Sequence, residues 1–211
     1  MSKTTRLPAA GLTRLVEAGR LFHRRGWVPA TAGNFSVRVD ARSLAVTVSG
    51  RHKGELGKAD FMRVDLDGRA LDKGKRSSAE TLLHCQLYRR EAAIGAVLHT
   101  HSPASTVLSR RHDTIRLERY ELLKIFAGIE THETVVEVPV FENDQDIARL
   151  SRVVEAHMST GQARHAYLIR GHGLYAWGCT VDEARHRVEA LEFLFECELY
   201  EQTTKTTGGQ P

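Results

Sequence analysis

The sequence predicts an α/β layered domain with a mixed sheet, because helical and strand periodicities alternate along the chain. Apolar residues recur at helical spacing near the N-terminus, whereas the segments NFSVRVD and SLAVTVSG alternate apolar and polar residues as strands do. The chain has 211 residues, of which 41% are hydrophobic and 27% charged, enough for a buried core. No linker or repeat divides it, so we predict one domain over residues 9–202, with disordered tails at 1–8 and 203–211.

The N-terminal half is predicted to form a helix, an antiparallel meander and a second helix. Residues 9–25 carry apolar side chains at helical spacing, and Gly26 stands where a C-terminal cap would lie. The segments NFSVRVD, SLAVTVSG and FMRVDLDGRAL predict three strands, the last with a turn at Asp67-Gly68. A helix is predicted over residues 79–91.

The C-terminal half is predicted to alternate strands with helices. AIGAVLH predicts a short buried strand, and SPASTVLSRR predicts a helix that Ser102 caps, with Pro103 at its first position. The remaining predicted elements are a helix around 118–127, the strand VVEVPVF, a helix from about Asp144 to Ser159, the strands HAYLI and GLYAW, and a final helix from about Val181 to Glu201. Hairpins combined with crossover helices indicate a mixed sheet.

Composition narrows the possible partners and compartments. Lys and Arg total 30 against 26 for Asp and Glu, and this net charge of +4 is too small and too interspersed to indicate a nucleic-acid-binding surface. No apolar run approaches the roughly 20 residues of a membrane-spanning helix, and the start lacks the apolar core of a signal peptide, so we expect a cytoplasmic protein. Cys85, Cys179 and Cys197 are widely spaced, which indicates small buried side chains rather than disulfides or a zinc ribbon.

Two histidines at the end of a predicted strand indicate a metal site. His99 and His101 lie two residues apart in AVLHTHS, and side chains at this spacing on a strand share one face, so both imidazoles can reach one ion. A buried strand end has few structural reasons to carry two histidines. Catalytic zinc takes three protein ligands and keeps an open position, and His172, between two glycines in IRGHGLYAW, is the best third candidate.

The other eight histidines are expected on solvated faces because their neighbours are charged. They are His23, His52, His84, His112, His132, His157, His165 and His186. A histidine pair with a distant third histidine also occurs in cupin metalloenzymes, which are nearly all β. About half of this chain has helical period, which argues against that barrel.

Three segments, TAGNFS, TVSG and RSSAE, have the character of anion-binding loops, although no Walker or dinucleotide-binding motif is present. Gly33-Asn34 and Ser49-Gly50 stand at strand boundaries, where backbone N–H groups and short polar side chains can converge. Ser77-Ser78 precede a helix beginning near Ala79, whose free N–H groups favour an anion. Each segment alone equally fits a glycine turn or helix cap. Glu80 fits a dipole partner, a capping residue or a neighbour of the metal.

Taken together and in this order, these residues resemble the class II aldolase/adducin family, from about Leu12 to Tyr200. The more specific stretches are RGWVPATAGNFS, VSGRHKGELG, SAETLLHCQLYRR, AVLHTHS, YELLKIFAGIETHE, FENDQDIARL and GHGLYAWG. The resemblance implies a three-layer αβα domain with a mixed, largely antiparallel central sheet. It also implies homotetramers with active sites at subunit interfaces.

The resemblance assigns roles to particular residues. His99, His101 and His172 would bind one divalent metal ion, most often zinc (Zn2+). The phosphate-binding motifs of the family fall on Gly33, Asn34, Ser49, Gly50, Ser78 and Ala79. The chain departs from the family pattern in two places. Ser77 stands where related dehydratases often have proline, and Ala79 replaces the second serine of the aldolases, so that any contact from it must come from its backbone N–H.

Within the family the resemblance is greatest to the dehydratases. It implies dehydration of the small-molecule sugar phosphate 5-methylthioribulose 1-phosphate to 2,3-diketo-5-methylthiopentyl 1-phosphate, in methionine salvage. The catalytic acid/base of the dehydratases maps to Glu121 in YELLK, a residue that its neighbours alone would place on a surface. The base of the aldolases maps to Glu80. A sugar-1-phosphate aldolase and a ribulose-phosphate 4-epimerase remain alternatives with the same metal site, whereas non-catalytic adducin-like modules lack the three histidines.

Overall fold

An eight-stranded sheet runs through the structure, a computed structural model that describes residues 7–161 and 165–207. The elements are α1 (Ala9–Arg24), β1 (Asn34–Asp40), β2 (Ser43–Thr47), β3 (Phe61–Asp65), α2 (Thr81–Arg90), β4 (Ala96–Thr100), α3 (Pro103–Arg111), β5 (Thr114–Glu118), β6 (Val135–Phe141), α4 (Ile147–Met158), β7 (Ala166–Ile169), β8 (Gly173–Gly178) and α5 (Val181–Thr207). Short 3-10 helices lie at Lys53–Glu55, Lys58–Asp60 and Glu121–Ile125.

The strand order is β3-β2-β1-β4-β8-β7-β6-β5. Every neighbouring pair is antiparallel except β6 and β7, which are parallel. The helix α4 forms the crossover between these two, since a parallel pair cannot be joined by a tight hairpin. The predicted mixed, largely antiparallel sheet is therefore confirmed.

Helices cover both faces of the sheet and so make three layers. On one face α1, α3 and α5 pack against inward side chains such as Leu98. On the other face α2 and α4 pack against side chains such as Val97. Successive strand residues point to opposite faces, and all five residues of β4 are buried, which explains why this strand is apolar along most of its length. The αβα architecture is confirmed.

The predicted helix around 118–127 is present only as the shorter 3-10 helix at Glu121–Ile125, and the strand before it was not predicted. Residues Thr114–Glu118 form the edge strand β5, in which Ile115 and Leu117 alternate with exposed residues and enter the core. Arg119 then adopts a positive φ of 62° and turns the chain into the 3-10 helix at Glu121–Ile125. The period-2 pattern of TIRLE was the signal for a strand, and the adjacent leucines of YELLK concealed it.

Two smaller predictions need correction. The final helix continues past its predicted end at about Glu201 to Thr207, whereas residues 1–6 and 208–211 of the predicted tails lie outside the described residues. Of the cysteines, Cys85 is buried and Cys197 half-buried, but Cys179 is exposed, contrary to prediction. In the part of the chain that the structure describes, no helix is long and apolar enough to cross a membrane.

Candidate active site

The topology gathers the predicted site residues, except Glu121, at one end of the sheet. β4 ends with His99 and Thr100, and the turn between β7 and β8 carries His172 beside them. β1 starts at this end, with Asn34 paired to His99. β2 ends here as well, just before Ser49-Gly50. We call this the histidine end of the sheet.

The three predicted metal ligands form one cluster. The candidate ligand atoms of His99, His101 and His172 all lie within 4.8 Å of one another. The Nε2 atoms of His99 and His172 are 3.3 Å apart. His99 is fully buried and the other two are partly buried, so the cluster opens to solvent on one side only.

The chemistry of the cluster suits a cation. Nδ1 of His99 lies 2.9 Å from the carbonyl oxygen of Leu174, a contact that needs an N–H there and leaves the lone pair on Nε2, facing the other imidazoles. Burial lowers the pKa of His99 far below its ordinary value and that of His101 to about 4, which keeps both rings neutral as metal binding requires. Three imidazoles with one open side are the ligand set of a catalytic zinc site.

A carboxylate, Glu80, joins the histidine cluster. Its Oε1 lies 3.0 Å from Nε2 of His172, and its Oε2 lies 3.5 Å from Nε2 of His99. The side-chain amide of Asn34 and the hydroxyl of Tyr175 also donate to Oε2, at 2.5 and 3.3 Å. Burial alone would raise the pKa of Glu80, but the hydrogen bonds with His172 and Asn34 lower it well below its ordinary value. An ionised carboxylate here can ligate a cation or accept a proton.

Glu80 does not act as the helix cap that its sequence position also allowed. It occupies the N-cap position of α2, yet its side chain makes no capping hydrogen bond. Of the three interpretations left open by the sequence, the geometry supports a neighbour of the metal site.

The predicted anion-binding loops line one pocket of about 280 Å³. Its wall includes Gly33, Asn34, Ser49, Gly50, Ser78 and Ala79, together with Glu80, His101 and Lys53. Gly33 has a φ of 78°, and a Cβ there would lie 2.6 Å from the carbonyl oxygen of His99. Only glycine therefore fits against this part of β4. The anion loops, Glu80 and one member of the histidine cluster, His101, thus line a single cavity.

His84 was expected on a solvated face, and this prediction is wrong. The residue is fully buried, and its Nδ1 lies 2.7 Å from the hydroxyl of Ser36, which is 2.9 Å from the hydroxyl of Tyr88. Nε2 of His84 contacts the side-chain oxygen of Asn34. Burial lowers the pKa of His84 to about 4, so the ring is neutral. The sequence signal for the burial of His84 was its i, i+4 spacing from Tyr88, which puts both side chains on the inward face of α2.

One proton arrangement satisfies this whole network. Tyr88 donates to Ser36, Ser36 to Nδ1 of His84, and the Nε2–H of His84 to the oxygen of Asn34. The amide nitrogen of Asn34 is then directed at Glu80 and at the hydroxyl of Ser78, 3.1 Å away. The buried His84 therefore fixes the orientation of the Asn34 amide, which contacts both Glu80, beside the histidine cluster, and Ser78, in an anion-binding loop.

Replacing His84 by leucine is expected to lower the free energy of unfolding by about 2–4 kcal/mol, because the buried groups of Asn34 and Ser36 both lose their partner. Denaturant unfolding measures the loss. The matched control is His186→Leu on the exposed face of α5. Equal free energies of unfolding for the two variants would contradict the role of the network.

Glu192 is a buried polar residue that the sequence analysis missed. It is fully buried in α5, where its Oε1 accepts a hydrogen bond of 2.6 Å from the hydroxyl of Thr100, the residue between His99 and His101. Burial raises its pKa to about 7, against the lowering effect of hydrogen bonds from Ser102 and Thr100. A single glutamate inside the apolar stretch ALEFLF was the only signal. The hydrogen bond between Thr100 and Glu192 thus links α5 to the segment that carries His99 and His101.

The pKa of Glu192 predicts a pH-dependent stability. An unfolded chain ionises this carboxyl near its ordinary pKa of 4.5, whereas the folded protein keeps it protonated to about 7, so raising the pH across this interval favours unfolding. The wild type should lose up to about 3 kcal/mol relative to Glu192→Gln over that range. Denaturant unfolding of both proteins at about pH 5 and pH 8 checks this. A stability difference that stays constant with pH would contradict it.

The structure does not bring Glu121 to the histidine cluster of its own chain. Its side chain is 72% exposed and forms an ion pair of 2.5 Å with Lys124 and one of 3.7 Å with His132. The hydrogen bond from Lys124 lowers the pKa of Glu121. β5 runs antiparallel to β4 and lies four strands away, so Glu121, which follows β5, lies near the other end of the sheet. Strand spacings of about 4.8 Å and residue rises of about 3.3 Å put it on the order of 20 Å from the cluster.

The remaining histidines divide between exposed and half-buried positions. His23, His132 and His186 are exposed, as predicted. The other four are half-buried rather than fully solvated: His52, His112, His157 and His165. Within the described residues, none of these seven belongs to a group of three or more side chains that could hold a metal ion.

Comparison with known proteins identifies relatives along almost the whole chain. Residues 13–199 match the family model "Class II Aldolase and Adducin N-terminal domain". A methylthioribulose-1-phosphate dehydratase of Pseudomonas aeruginosa (strain UCBPP-PA14) is 55% identical over 88% of this chain and 92% of its own. A protein of the same name from Pseudomonas fluorescens (strain Pf0-1) is 51% identical over 93% of this chain and 95% of its own.

Solved structures share the fold. An L-fuculose-1-phosphate aldolase from Thermus thermophilus superposes with a TM-score of 0.76 at 26% identity, covering 93% of this chain and 98% of that one. A sugar-phosphate aldolase from Thermotoga maritima superposes with a TM-score of 0.67 at 19% identity, covering 96% and 98%. The architecture derived from the strand order is thus that of known enzymes with "aldolase" in their names.

Proposed function

Because the chain belongs to the class II aldolase and adducin family, we propose that it is a hydro-lyase that converts 5-methylthioribulose 1-phosphate to 2,3-diketo-5-methylthiopentyl 1-phosphate, a step of methionine salvage. The observation that carries the proposal is the 51–56% identity, over about nine-tenths of the chain, to proteins named methylthioribulose-1-phosphate dehydratase. The pocket supports it, because His101 of the three-histidine cluster lines the same cavity as the three anion-binding loops, and the substrate has a carbonyl, hydroxyls and a phosphate.

His99, His101 and His172 would hold the metal, and zinc is the ion we propose, one per chain. When bound, it would supply Lewis acidity to the C2 carbonyl and so acidify the C3 proton. The anion loops would hold the phosphate and thereby fix the distance of C3 and C4 from the histidines. The buried His84 network would keep the amide of Asn34 aimed at both parts of the cavity.

In the proposed reaction Glu121 removes the proton from C3, and the electrons of that C–H bond form an enediolate across C2 and C3. The C4 hydroxyl then leaves, protonated by the same carboxyl or a nearby acid, which gives an enol between C3 and C4. Protonation at C4 yields the diketone and a C4 methylene. The overall reaction removes one water molecule from the substrate without a net oxidation or reduction, so no redox cofactor is required.

Glu121 must then act in the site of a neighbouring copy, because it lies on the order of 20 Å from the histidines of its own chain. We propose a homotetramer with active sites at subunit interfaces. The surface around Glu121 suits an interface, since the large apolar side chains of Leu122, Ile125 and Val135 are exposed there. The Glu121 side chain is also largely exposed in its own chain, so that a neighbouring copy can reach it.

The second candidate is a class II sugar-1-phosphate aldolase or a ribulose-phosphate 4-epimerase. The position of Glu80 favours it, because this is the carboxylate that the chain itself holds against its histidine cluster. In such an enzyme Glu80 would be the base.

Mass spectrometry of the reaction products separates these functions. Zinc-loaded protein incubated with 5-methylthioribulose 1-phosphate should give one product lighter by one water, and a chelator should prevent its formation. Two smaller fragments would indicate aldol cleavage, and an isomer of unchanged mass would indicate epimerisation; either result would overturn the dehydratase proposal.

A further inference from the structure

A lysine of the pocket wall, Lys53, is buried although it carries a charge. The residue is only 2% exposed and begins the 3-10 helix Lys53–Glu55. Its Nζ donates hydrogen bonds of 2.7 Å to the carbonyl oxygen of Thr31 and 2.6 Å to that of Arg51. An ammonium group has three N–H donors, and the described hydrogen bonds use two of them. One donor is therefore available to a ligand.

These two carbonyls place the ammonium group between anion-binding loops. Thr31 lies two residues before Gly33, and Arg51 directly follows Gly50. Lys53 lines the same pocket as Ser49, Gly50 and Ser78. The position of the charge is thus fixed by backbone atoms of the loops that form the wall.

The buried charge of Lys53 has no direct counter-ion within the described residues, where no carboxylate lies at ion-pair distance from it. Glu80 acts on it only from a longer range and raises its pKa, while burial lowers the pKa to about 8. Burying a cation without an anion is costly, and a neutral amide could equally link two carbonyl groups. Keeping a positive charge at this position is useful if an anion binds beside it.

The pocket itself needs such a charge to bind a phosphate. Among the side chains that line it in the described structure, Lys53 is the only cationic one, and Glu80 is negative. The loops otherwise offer backbone N–H groups, hydroxyls and an amide, all of them neutral. A phosphate dianion would enter this cavity near a carboxylate, and Lys53 is the cation that the chain's own side chains offer it there, apart from the zinc proposed at the histidines.

We propose that the ammonium group of Lys53 contacts the phosphate of the bound ligand and supplies its counter-charge, an inference that rests on the proposed sugar-phosphate activity. Charge-assisted hydrogen bonds to phosphate are about twice as strong as those between neutral groups. Lys53 is then a ligand-binding residue of the pocket in addition to those predicted from the family motifs.

The test measures the affinity of the zinc-loaded protein for inorganic phosphate by calorimetry. Lys53→Gln keeps an amide donor for the two carbonyls and removes the charge. Arg51→Gln is the matched control, because it removes an equal charge from a nearby, exposed residue that pairs with Asp60. We expect at least a tenfold loss of phosphate affinity in Lys53→Gln and less than about a twofold loss in Arg51→Gln. With the sugar phosphate, KM should rise more than kcat falls in Lys53→Gln.

Equal phosphate affinities of the two variants would overturn the inference and leave Lys53 as a structural link between loops. Failure of the wild type to bind phosphate would overturn it as well. If Lys53→Gln does not fold, lysine labelled with 15N at Nζ in the wild type supplies the answer, since contact with phosphate must shift the signal of this buried ammonium group. Phosphate binding needs no turnover, so a wild type that binds phosphate through Lys53 but does not dehydrate the substrate refutes the proposed function alone.

Discussion

Glu121→Gln is expected to lose about 100-fold or more of the dehydration rate, because glutamine cannot take the proton from C3. Its metal content and affinity for substrate should stay close to those of the wild type, since Glu121 belongs neither to the three-histidine cluster nor to the anion-binding loops, and glutamine keeps its size. Steady-state kinetics, metal analysis and a binding measurement check the three expectations. Glu118→Gln, an exposed carboxylate at the end of β5, is the matched control. A variant that keeps more than about a tenth of kcat would show that Glu121 is not the base.

Subunit mixing tests where Glu121 acts. Glu121→Gln and His101→Ala are each inactive in the proposed scheme, but a hybrid can pair the intact histidines of one chain with the intact Glu121 of the other. After subunit exchange at equal amounts, random assembly should restore about a quarter of the wild-type activity. No recovery in proteins shown to exchange subunits would contradict an active site shared between copies.

His101→Ala has the second large expected effect, loss of the metal and of activity with it. Two imidazoles remain, and the cluster loses one of the three ligand atoms that lie within 4.8 Å of one another. Metal analysis of the purified variant should find little zinc, and kcat should fall to the level of chelated wild type. His186→Ala, on the exposed face of α5, should retain both. Stoichiometric zinc in His101→Ala would contradict the ligand assignment.

The sequence predicted those parts of the site whose signal is local. His99 lies in the last part of β4 and His101 directly follows the strand, and both reach the same cluster, while Gly33 and Gly50 stand at strand boundaries with positive φ. Such features follow from strand periodicity and from glycine conformation, which need no knowledge of the rest of the chain. The fold class followed from the same periodicities, although the short edge strand β5, which precedes the 3-10 helix at Glu121–Ile125, was missed.

The missed residues have partners far away along the chain. His84 contacts Asn34, 50 residues earlier, and Thr100 bonds Glu192, 92 residues later. Lys53 bonds backbone carbonyls, which carry no sequence signal. Their burial depends on which helix packs on which face of the sheet, and spacing alone does not determine that. The role proposed for Glu121 depends on a second copy, which one chain does not show.

NMR of zinc-loaded wild-type protein with 5-methylthioribulose 1-phosphate is the sharpest test of the proposed dehydration, because it follows the two carbons that the reaction changes. We expect the C3–H signal to disappear, a C4 methylene to appear, and a chelator to stop both changes. An unchanged substrate in the presence of metal-loaded protein, or cleavage of the C3–C4 bond in place of a C4 methylene, would contradict it.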